Sequence, residues 1–125
     1  MTVSIELLLD PRSEALVRED WERLARAGHS SLAAHRAPSN RPHITLLARS
    51  ELGDVTLGGA VASLPFALRL GDPVVFDHGD RVVLARAVQI DAALAALHRA
   101  VHDAVPAGED APWTAPGRWT PHVTL

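Results

Sequence analysis

One five-residue motif occurs twice in the chain, as PHITL at Pro42–Leu46 and as PHVTL at Pro121–Leu125. Successive side chains of an extended strand point to opposite faces, so the histidine and the threonine of each copy share one face. The apolar residues of each copy point the other way, toward a core. A single copy is adequately explained as a strand with polar residues on an outer face, but the duplication favours one site built from both copies.

The duplicated residue types suit acid–base chemistry on a phosphate. An unperturbed imidazole titrates near pH ~6.5, so at neutral pH one of His43 and His122 can accept a proton while the other donates one. The hydroxyls of Thr45 and Thr124 can donate hydrogen bonds to an oxyanion held between the two rings. A phosphodiester fits this arrangement without a metal or another cofactor, because one histidine deprotonates the attacking hydroxyl or water and the other protonates the leaving oxygen.

Composition removes most competing chemistries. The 125 residues include no Cys, Lys or Tyr, which excludes a thiolate nucleophile, a sulfur-ligated zinc site, a Schiff-base lysine and a P-loop lysine. The net charge of −3 argues against an extended nucleic-acid groove but leaves room for a small phosphorylated ligand held by a few Arg.

The length fits a single domain over residues 1–125. No apolar run suggests a membrane helix and the N-terminus does not resemble a signal peptide, so we expect a cytoplasmic protein.

The first part of the chain predicts a strand, a helix and a second strand. Val3–Leu9 has the alternation of a strand, with Glu6 in its middle. We expect Glu6 on a solvated face, and orientation of a site residue is the alternative. A helix is predicted from Pro11 to about Ala27, because Asp10 offers a favoured N-cap and Pro is a favoured first helical residue. The strand of the first motif then opens at Pro42, where a strand tolerates proline.

The middle of the chain predicts a hairpin preceded by less regular structure. The predicted segments are a weak helix at Glu51–Leu64, strands at Pro65–Leu70 and Val74–Phe76, and a returning strand at Arg81–Val88. Gly71–Pro73 is predicted as a turn between the first two strands. Asp77–Asp80 is predicted as the tight hairpin turn, with His78 at the surface.

A second helix is predicted after the hairpin. Asp91 caps it, and its buried stripe consists of Leu94, Leu97, Val101 and Val105. His98 and His102 have the spacing of two metal ligands on a helix, but no third ligand is evident, so we expect them on a solvated face. The order β-α-β-(α)-β-β-β-α-β predicts an α+β fold with antiparallel pairing and helices on one side of the sheet.

Three residues beside the motifs are candidate substrate contacts. Arg41 and Arg118 each precede a motif and can reach a phosphate or a base, although such arginines more commonly lie at the surface. Trp119 can stack a base, and core packing is an equally good explanation for a large apolar residue beside a strand.

The sequence resembles the two-histidine (2H) phosphoesterases, which include 2′-5′ RNA ligase-like and RNA 2′,3′-cyclic phosphodiesterase proteins. The resemblance is carried by Arg41–Leu46 and Thr120–Leu125, with support from Ile5–Asp10, the helix containing Trp21 and the strand pair around Phe76. It implies a bilobal α+β fold with a pseudo-twofold axis and antiparallel sheets with helices outside. One His-x-Thr strand from each half would line a central cleft.

The resemblance also implies residue roles and a substrate. His43 and His122 match the catalytic histidines, usually the general acid and the general base of hydrolysis in that order, and Thr45 and Thr124 match the phosphate-binding hydroxyls. The implied function is metal-independent hydrolysis of 2′,3′-cyclic phosphates on RNA ends or small nucleotides. Two alternatives stay open: 2′-5′ RNA ligation by the same residues in reverse, and non-catalytic binding of nucleotides or RNA ends. Similar chains normally continue past the second motif, whereas this sequence stops at Leu125, so either it is cut short or its second half lacks an edge.

Overall fold

The computed structural model describes residues 2–35, 37–77 and 80–125, and within them it contains strands, two α-helices and two short 3₁₀ turns. In chain order these are β1 (Val3–Leu8), α1 (Pro11–Arg26), a first 3₁₀ turn (Leu32–Ala34), β2 (His43–Arg49), β3 (Leu70–Asp77), β4 (Val82–Val88), α2 (Ala92–Ala104), a second 3₁₀ turn (Pro112–Thr114) and β5 (His122–Thr124). The predicted α+β class with antiparallel pairing is confirmed. The predicted hairpin is formed by β3 and β4, but His78 in its turn lies outside the described residues.

The strands form two separate antiparallel sheets, and each sheet contains one copy of the motif. β1 pairs with β2, while β3, β4 and β5 form a second sheet in that order. The register of β1 against β2 shifts at one point, because Ile5 lies opposite Leu47 whereas Glu6 lies opposite Thr45. Leu46 is therefore an extra residue in β2, which makes this irregularity a β-bulge. Leu46 and Leu47 are both buried, as are Ala48 and Arg49 after them.

Each helix packs against the sheet that lies farther from it in the sequence. On α1, the Trp21 indole donates to the carbonyl of Thr124 in β5 at 3.0 Å, and Asp20 pairs with Arg86 of β4 at 2.7 Å. Helix α2, in turn, packs against β2. This crossed packing joins both sheets to one core, whose buried members are Leu7, Val17, Trp21, Ile44, Leu46, Val88, Leu94, Leu97, Val101, Trp119, Val123 and Leu125.

Both helices begin where the sequence predicts. Pro11 is the first residue of α1, and the Asp91 carboxylate caps α2 by accepting a hydrogen bond from the Leu94 amide at 2.9 Å. The predicted stripe of α2 is buried along its whole length. In the part of the chain that the structure describes, neither helix has the length and apolar character needed to cross a membrane.

Three predictions for residues 51–73 are wrong. Glu51–Leu64 forms turns over residues 58–63 rather than a helix, because its Gly-Gly pair makes continuous helix costly. Pro65–Leu70 is not a strand, since β3 begins only at Leu70. Gly71–Pro73 is not a turn between two strands but part of β3, in a stretch where the register against β4 is irregular. The irregularity accommodates a proline, which has no amide hydrogen for a regular ladder.

Candidate active site

The polar side chains of the two motifs lie on strand faces that turn away from the core. Ile44 and Val123 are fully buried at 0% exposure, and strand alternation points the histidine and the threonine of each motif the opposite way. All four of these polar residues are partly exposed. β2 and β5 pack against each other although they belong to different sheets. The structure therefore brings the two motif strands side by side.

Both motif histidines are held by the same kind of backbone contact. Nδ1 of His43 donates to the carbonyl of Arg41 at 2.8 Å, and Nδ1 of His122 donates to the carbonyl of Thr120 at 2.8 Å. In both cases the acceptor stands two residues before the histidine. Because a carbonyl oxygen only accepts, Nδ1 carries the hydrogen, and in the neutral ring Nε2 carries the lone pair. The proton that each ring can gain or lose is therefore the one on Nε2.

The backbone carbonyl of each motif threonine accepts a hydrogen bond from the indole of a tryptophan. In each case the tryptophan lies outside the pair of strands to which the threonine belongs. Trp119 Nε1 donates to the carbonyl of Thr45 at 3.0 Å, and Trp21 Nε1 donates to the carbonyl of Thr124 at 3.0 Å. Trp119 is 8% exposed, and its ring stacks on that of His98 with centroids 3.9 Å apart. Of the two explanations for Trp119, the structure therefore favours core packing over base stacking. Both tryptophans fix the strands that carry the motifs.

A carboxylate lies beside the first motif histidine. Oε2 of Glu6 is 3.4 Å from Nε2 of His43, and each of the two side chains is 34% exposed. The register of β1 against β2 places Glu6 opposite Thr45, so it shares the face of the motif side chains. Glu6 lies on an exposed face, as expected, and its carboxylate also contacts a motif residue.

Two aromatic rings flank the second motif histidine. The ring centroid of His122 lies 4.8 Å from that of Phe76 and 5.3 Å from that of Trp113. Phe76 belongs to β3 and Trp113 to the second 3₁₀ turn, and both are partly exposed. Sequence reasoning connected neither side chain with His122. Trp113 lies in a Pro- and Gly-rich loop without periodicity, so only its aromatic character could have marked it.

The two candidate arginines are placed differently. Nε of Arg41 donates to Oε1 of Glu14 on α1 at 2.9 Å, with the arginine side chain 43% exposed. The guanidinium of Arg118 is exposed and makes no hydrogen bond or ion pair with the described part of the chain. Arg41 is thus engaged in an ion pair at the surface, whereas Arg118 is available to a ligand. A substrate contact by either arginine stays a prediction.

The prediction that His98 and His102 lie on a solvated helix face is wrong. His98 is 6% exposed and donates from Nε2 to the carbonyl of Thr114 at 2.9 Å. The His102 side chain is 7% exposed and donates from Nε2 to the carbonyl of Leu46 at 2.9 Å. The pair is buried because α2 packs this face against β2 and the second 3₁₀ turn. Across the described ranges, no cluster of three His, Asp or Glu residues suited to a metal ion is present.

A buried ion cluster continues from His102 to the end of β2. Arg49 is 8% exposed, and its Nε donates to Oδ1 of Asp110 at 2.8 Å. Nη1 of Arg49 donates to the carbonyl of Pro106 at 2.8 Å, and Oδ2 of Asp110 lies 3.5 Å from Nδ1 of His102. This cluster anchors the strand that carries the first motif to the segment after α2.

Acidification is expected to weaken the packing of α2 against the rest of the fold, because His98 is buried there. Burial lowers the pKa of His98, and the hydrogen bond to the Thr114 carbonyl offsets the effect only in part. Because the folded-state pKa lies below the unfolded value, the neutral ring stabilises the fold above pH ~6.5, and this contribution is lost as the pH falls through ~6.5 and below. The melting temperature should therefore fall more between about pH 7.5 and about pH 5 in the wild type than in His98→Phe, whose ring cannot titrate. An equal fall in both proteins would contradict this role of His98.

Comparison with known protein families gives a match over most of the chain. A family model described as the 2′-5′ RNA ligase superfamily matches residues 11–125, a range that contains both motifs and begins after β1. No curated protein and no solved structure matches the chain.

Proposed function

The chain belongs to the 2′-5′ RNA ligase superfamily, and from this premise we propose that it is a metal-independent phosphodiesterase that opens 2′,3′-cyclic phosphates on RNA ends or small nucleotides. One observation carries the proposal: β2 and β5 lie side by side, and each presents a histidine whose Nδ1 is bound by its own backbone. Two imidazoles and two hydroxyls on adjacent strands supply a base, an acid and two donors to a phosphate.

In this proposal the two sheets act as two similar halves, and the motif side chains line the cleft between them. The matching Nδ1 contacts of the two histidines, each to the carbonyl two residues before it, support such a pseudo-twofold relation. His43 and His122 are then the catalytic residues, and the hydroxyls of Thr45 and Thr124 hold the non-bridging oxygens. Arg118, whose guanidinium lies in solvent, is the better placed of the two arginines to reach the substrate.

The reaction requires two proton transfers, one for the attacking group and one for the leaving group. One Nε2 takes a proton from a water molecule as the water oxygen attacks phosphorus. The bond between phosphorus and one ribose oxygen breaks, and that oxygen keeps the electron pair and receives the proton from Nε2 of the other imidazole. The product is a ribose phosphomonoester, and proton exchange with solvent restores both rings. Meanwhile the threonine hydroxyls donate to the negative charge on the phosphate.

Ligation of RNA ends is the second candidate, and the description of the matching family favours it. The same side chains would act with a ribose hydroxyl of a second RNA end as the attacking group. Ligation needs two RNA ends at once, and the net charge of −3 gives the chain little long-range attraction for RNA. Hydrolysis of a small or terminal cyclic phosphate is therefore the preferred function.

Incubation of the purified chain with a nucleoside 2′,3′-cyclic phosphate in EDTA tests the proposal. We expect conversion to a monophosphate, detected by chromatography, at the same rate with and without EDTA, because no step requires a metal. Turnover that appears only after a divalent metal is added would contradict the acid–base scheme. Protection by nucleotide against thermal unfolding without turnover would instead favour a non-catalytic binder, and joined RNA ends would favour ligation.

The two threonine hydroxyls are expected to contribute strongly to the rate. Thr45→Val and Thr124→Val should each lower kcat by about 10²-fold, because valine keeps the shape but removes a donor to the developing charge. The backbone carbonyls that bind the tryptophans remain, so the fold should be retained. Thr56→Val, in an exposed loop, is the matched control and should leave kcat unchanged. If Thr45→Val or Thr124→Val has the same kcat as Thr56→Val, the replaced hydroxyl takes no part in the mechanism.

A further inference from the structure

Glu6 places a negative charge where the proposed function requires an anionic substrate to bind. Its Oε2 lies 3.4 Å from Nε2 of His43. A carboxylate beside a phosphate repels it, and this repulsion lowers affinity for the substrate. Its presence at the catalytic nitrogen therefore needs a chemical reason.

The β-bulge between β1 and β2 determines which residue of β2 lies opposite this carboxylate. If the register of Ile5 and Leu47 continued unchanged, Glu6 would lie opposite Leu46, a residue that is 2% exposed in the core. The extra residue in β2 moves Glu6 opposite Thr45, on the face that carries His43. The alternation of β1 turns Glu6 away from the side of the buried Leu7, and the register after the bulge places it beside the motif residues of β2.

The hydrogen bonding of His43 determines what the carboxylate can do. Nδ1 donates to the Arg41 carbonyl at 2.8 Å, so the proton that distinguishes the charged ring from the neutral ring is carried by Nε2. Without that proton, Nε2 directs a lone pair at the Glu6 carboxylate. With it, the ring directs a positively charged N–H at the same carboxylate, which is the favourable arrangement.

We infer that Glu6 is a positioning residue that holds a proton on Nε2 of His43 and so prepares His43 to act as the general acid. The inference rests on the proposed function and concerns Glu6, since the order of the two roles, with His43 as the acid, is already what the resemblance to the 2H phosphoesterases implies. When substrate binds, the Nε2–H is delivered to the leaving ribose oxygen as its bond to phosphorus breaks, and His43 becomes neutral until solvent returns a proton. The role of base then falls to His122. Glu6 lies before the range that the family model matches.

Glu6→Gln tests the inference, because glutamine keeps the size of the side chain and removes its charge. For a nucleoside 2′,3′-cyclic phosphate, kcat should fall about tenfold. The Kd for nucleoside 2′- and 3′-monophosphates should stay the same or decrease, because a repulsive charge is gone. A purely structural role would weaken product binding together with kcat. Glu22→Gln, which removes a carboxylate from the exposed face of α1, is the matched control and should change neither value.

The kcat of the conservative variant Glu6→Asp supplies a second test of the inference. Glu6→Asp restores the charge, so it is expected to recover part of the kcat that Glu6→Gln loses. A Glu6→Gln variant with wild-type kcat, a loss of product affinity in proportion to kcat, or an equal loss in both variants would overturn the assignment. The proposed function would survive each of these results, because the wild type would still turn over. If the wild type shows no turnover, the result contradicts both the proposed function and the inference that rests on it.

Discussion

Replacement of either motif histidine with alanine is expected to lower kcat for hydrolysis of a 2′,3′-cyclic phosphate by about 10³-fold, because general acid–base catalysis contributes 10²- to 10⁴-fold. In the proposed mechanism, His43→Ala removes the proton donor to the leaving oxygen, and His122→Ala removes the base that activates water. Because the two groups act in one concerted step, the double variant should be little worse than either single variant. Initial rates of monophosphate formation, measured by chromatography, give these values.

The control for the histidine variants is another histidine. His29 lies exposed in the loop after α1, and His29→Ala should keep the wild-type rate. Both motif histidines are partly exposed, so their replacement should leave a folded protein, which circular dichroism can check. If either single variant retains most of the wild-type rate, that histidine takes no part in proton transfer.

The largest loss of stability is expected from the buried ion cluster at the end of β2. Asp110→Ala leaves the guanidinium of Arg49, which is 8% exposed, without its carboxylate. Removal of one partner of a buried ion pair typically costs about 3 kcal/mol or more, because the remaining charge is buried and uncompensated. Urea unfolding should show this decrease in the free energy of unfolding. Asp103→Ala, on the exposed side of α2, should change it by less than about 0.5 kcal/mol.

A double variant separates the buried charge from the space that the cluster fills. Arg49→Met combined with Asp110→Leu replaces both charges with apolar side chains of related size. This double variant should be more stable than Asp110→Ala, since apolar replacement of a whole buried pair is often neutral or stabilising. An Asp110→Ala variant as stable as Asp103→Ala would mean that Arg49 finds sufficient solvent or backbone partners without Asp110.

Features that depend on local sequence were predicted well. Strand alternation in each motif correctly separates the buried Ile44 and Val123 from the partly exposed histidines and threonines. The start of α1 at Pro11 and the cap of α2 at Asp91 were also predictable, because propensity and capping act within one helical turn. These features need only residues that are neighbours in the chain.

Features that depend on distant contacts were not predicted. The contact between Glu6 and His43 joins β1 to β2, whose register shifts between Ile5 and Glu6, and a single-residue change of register is not visible in either strand alone. His98 and His102 have the composition of a polar helix face, but the packing of α2 against β2 buries both rings. The aromatic rings beside His122 come from β3 and from an irregular loop, which only the folded chain brings together.

The position of a bound phosphate tests most directly the claim that both motifs serve one reaction. In a crystal structure with a nucleoside monophosphate, Nε2 of His43 and Nε2 of His122 should each lie about 3 Å from a phosphate oxygen. The hydroxyls of Thr45 and Thr124 should donate to the remaining oxygens. A phosphate bound away from the motifs, or one that contacts a single imidazole while the other ring lies on a different surface, would contradict the account.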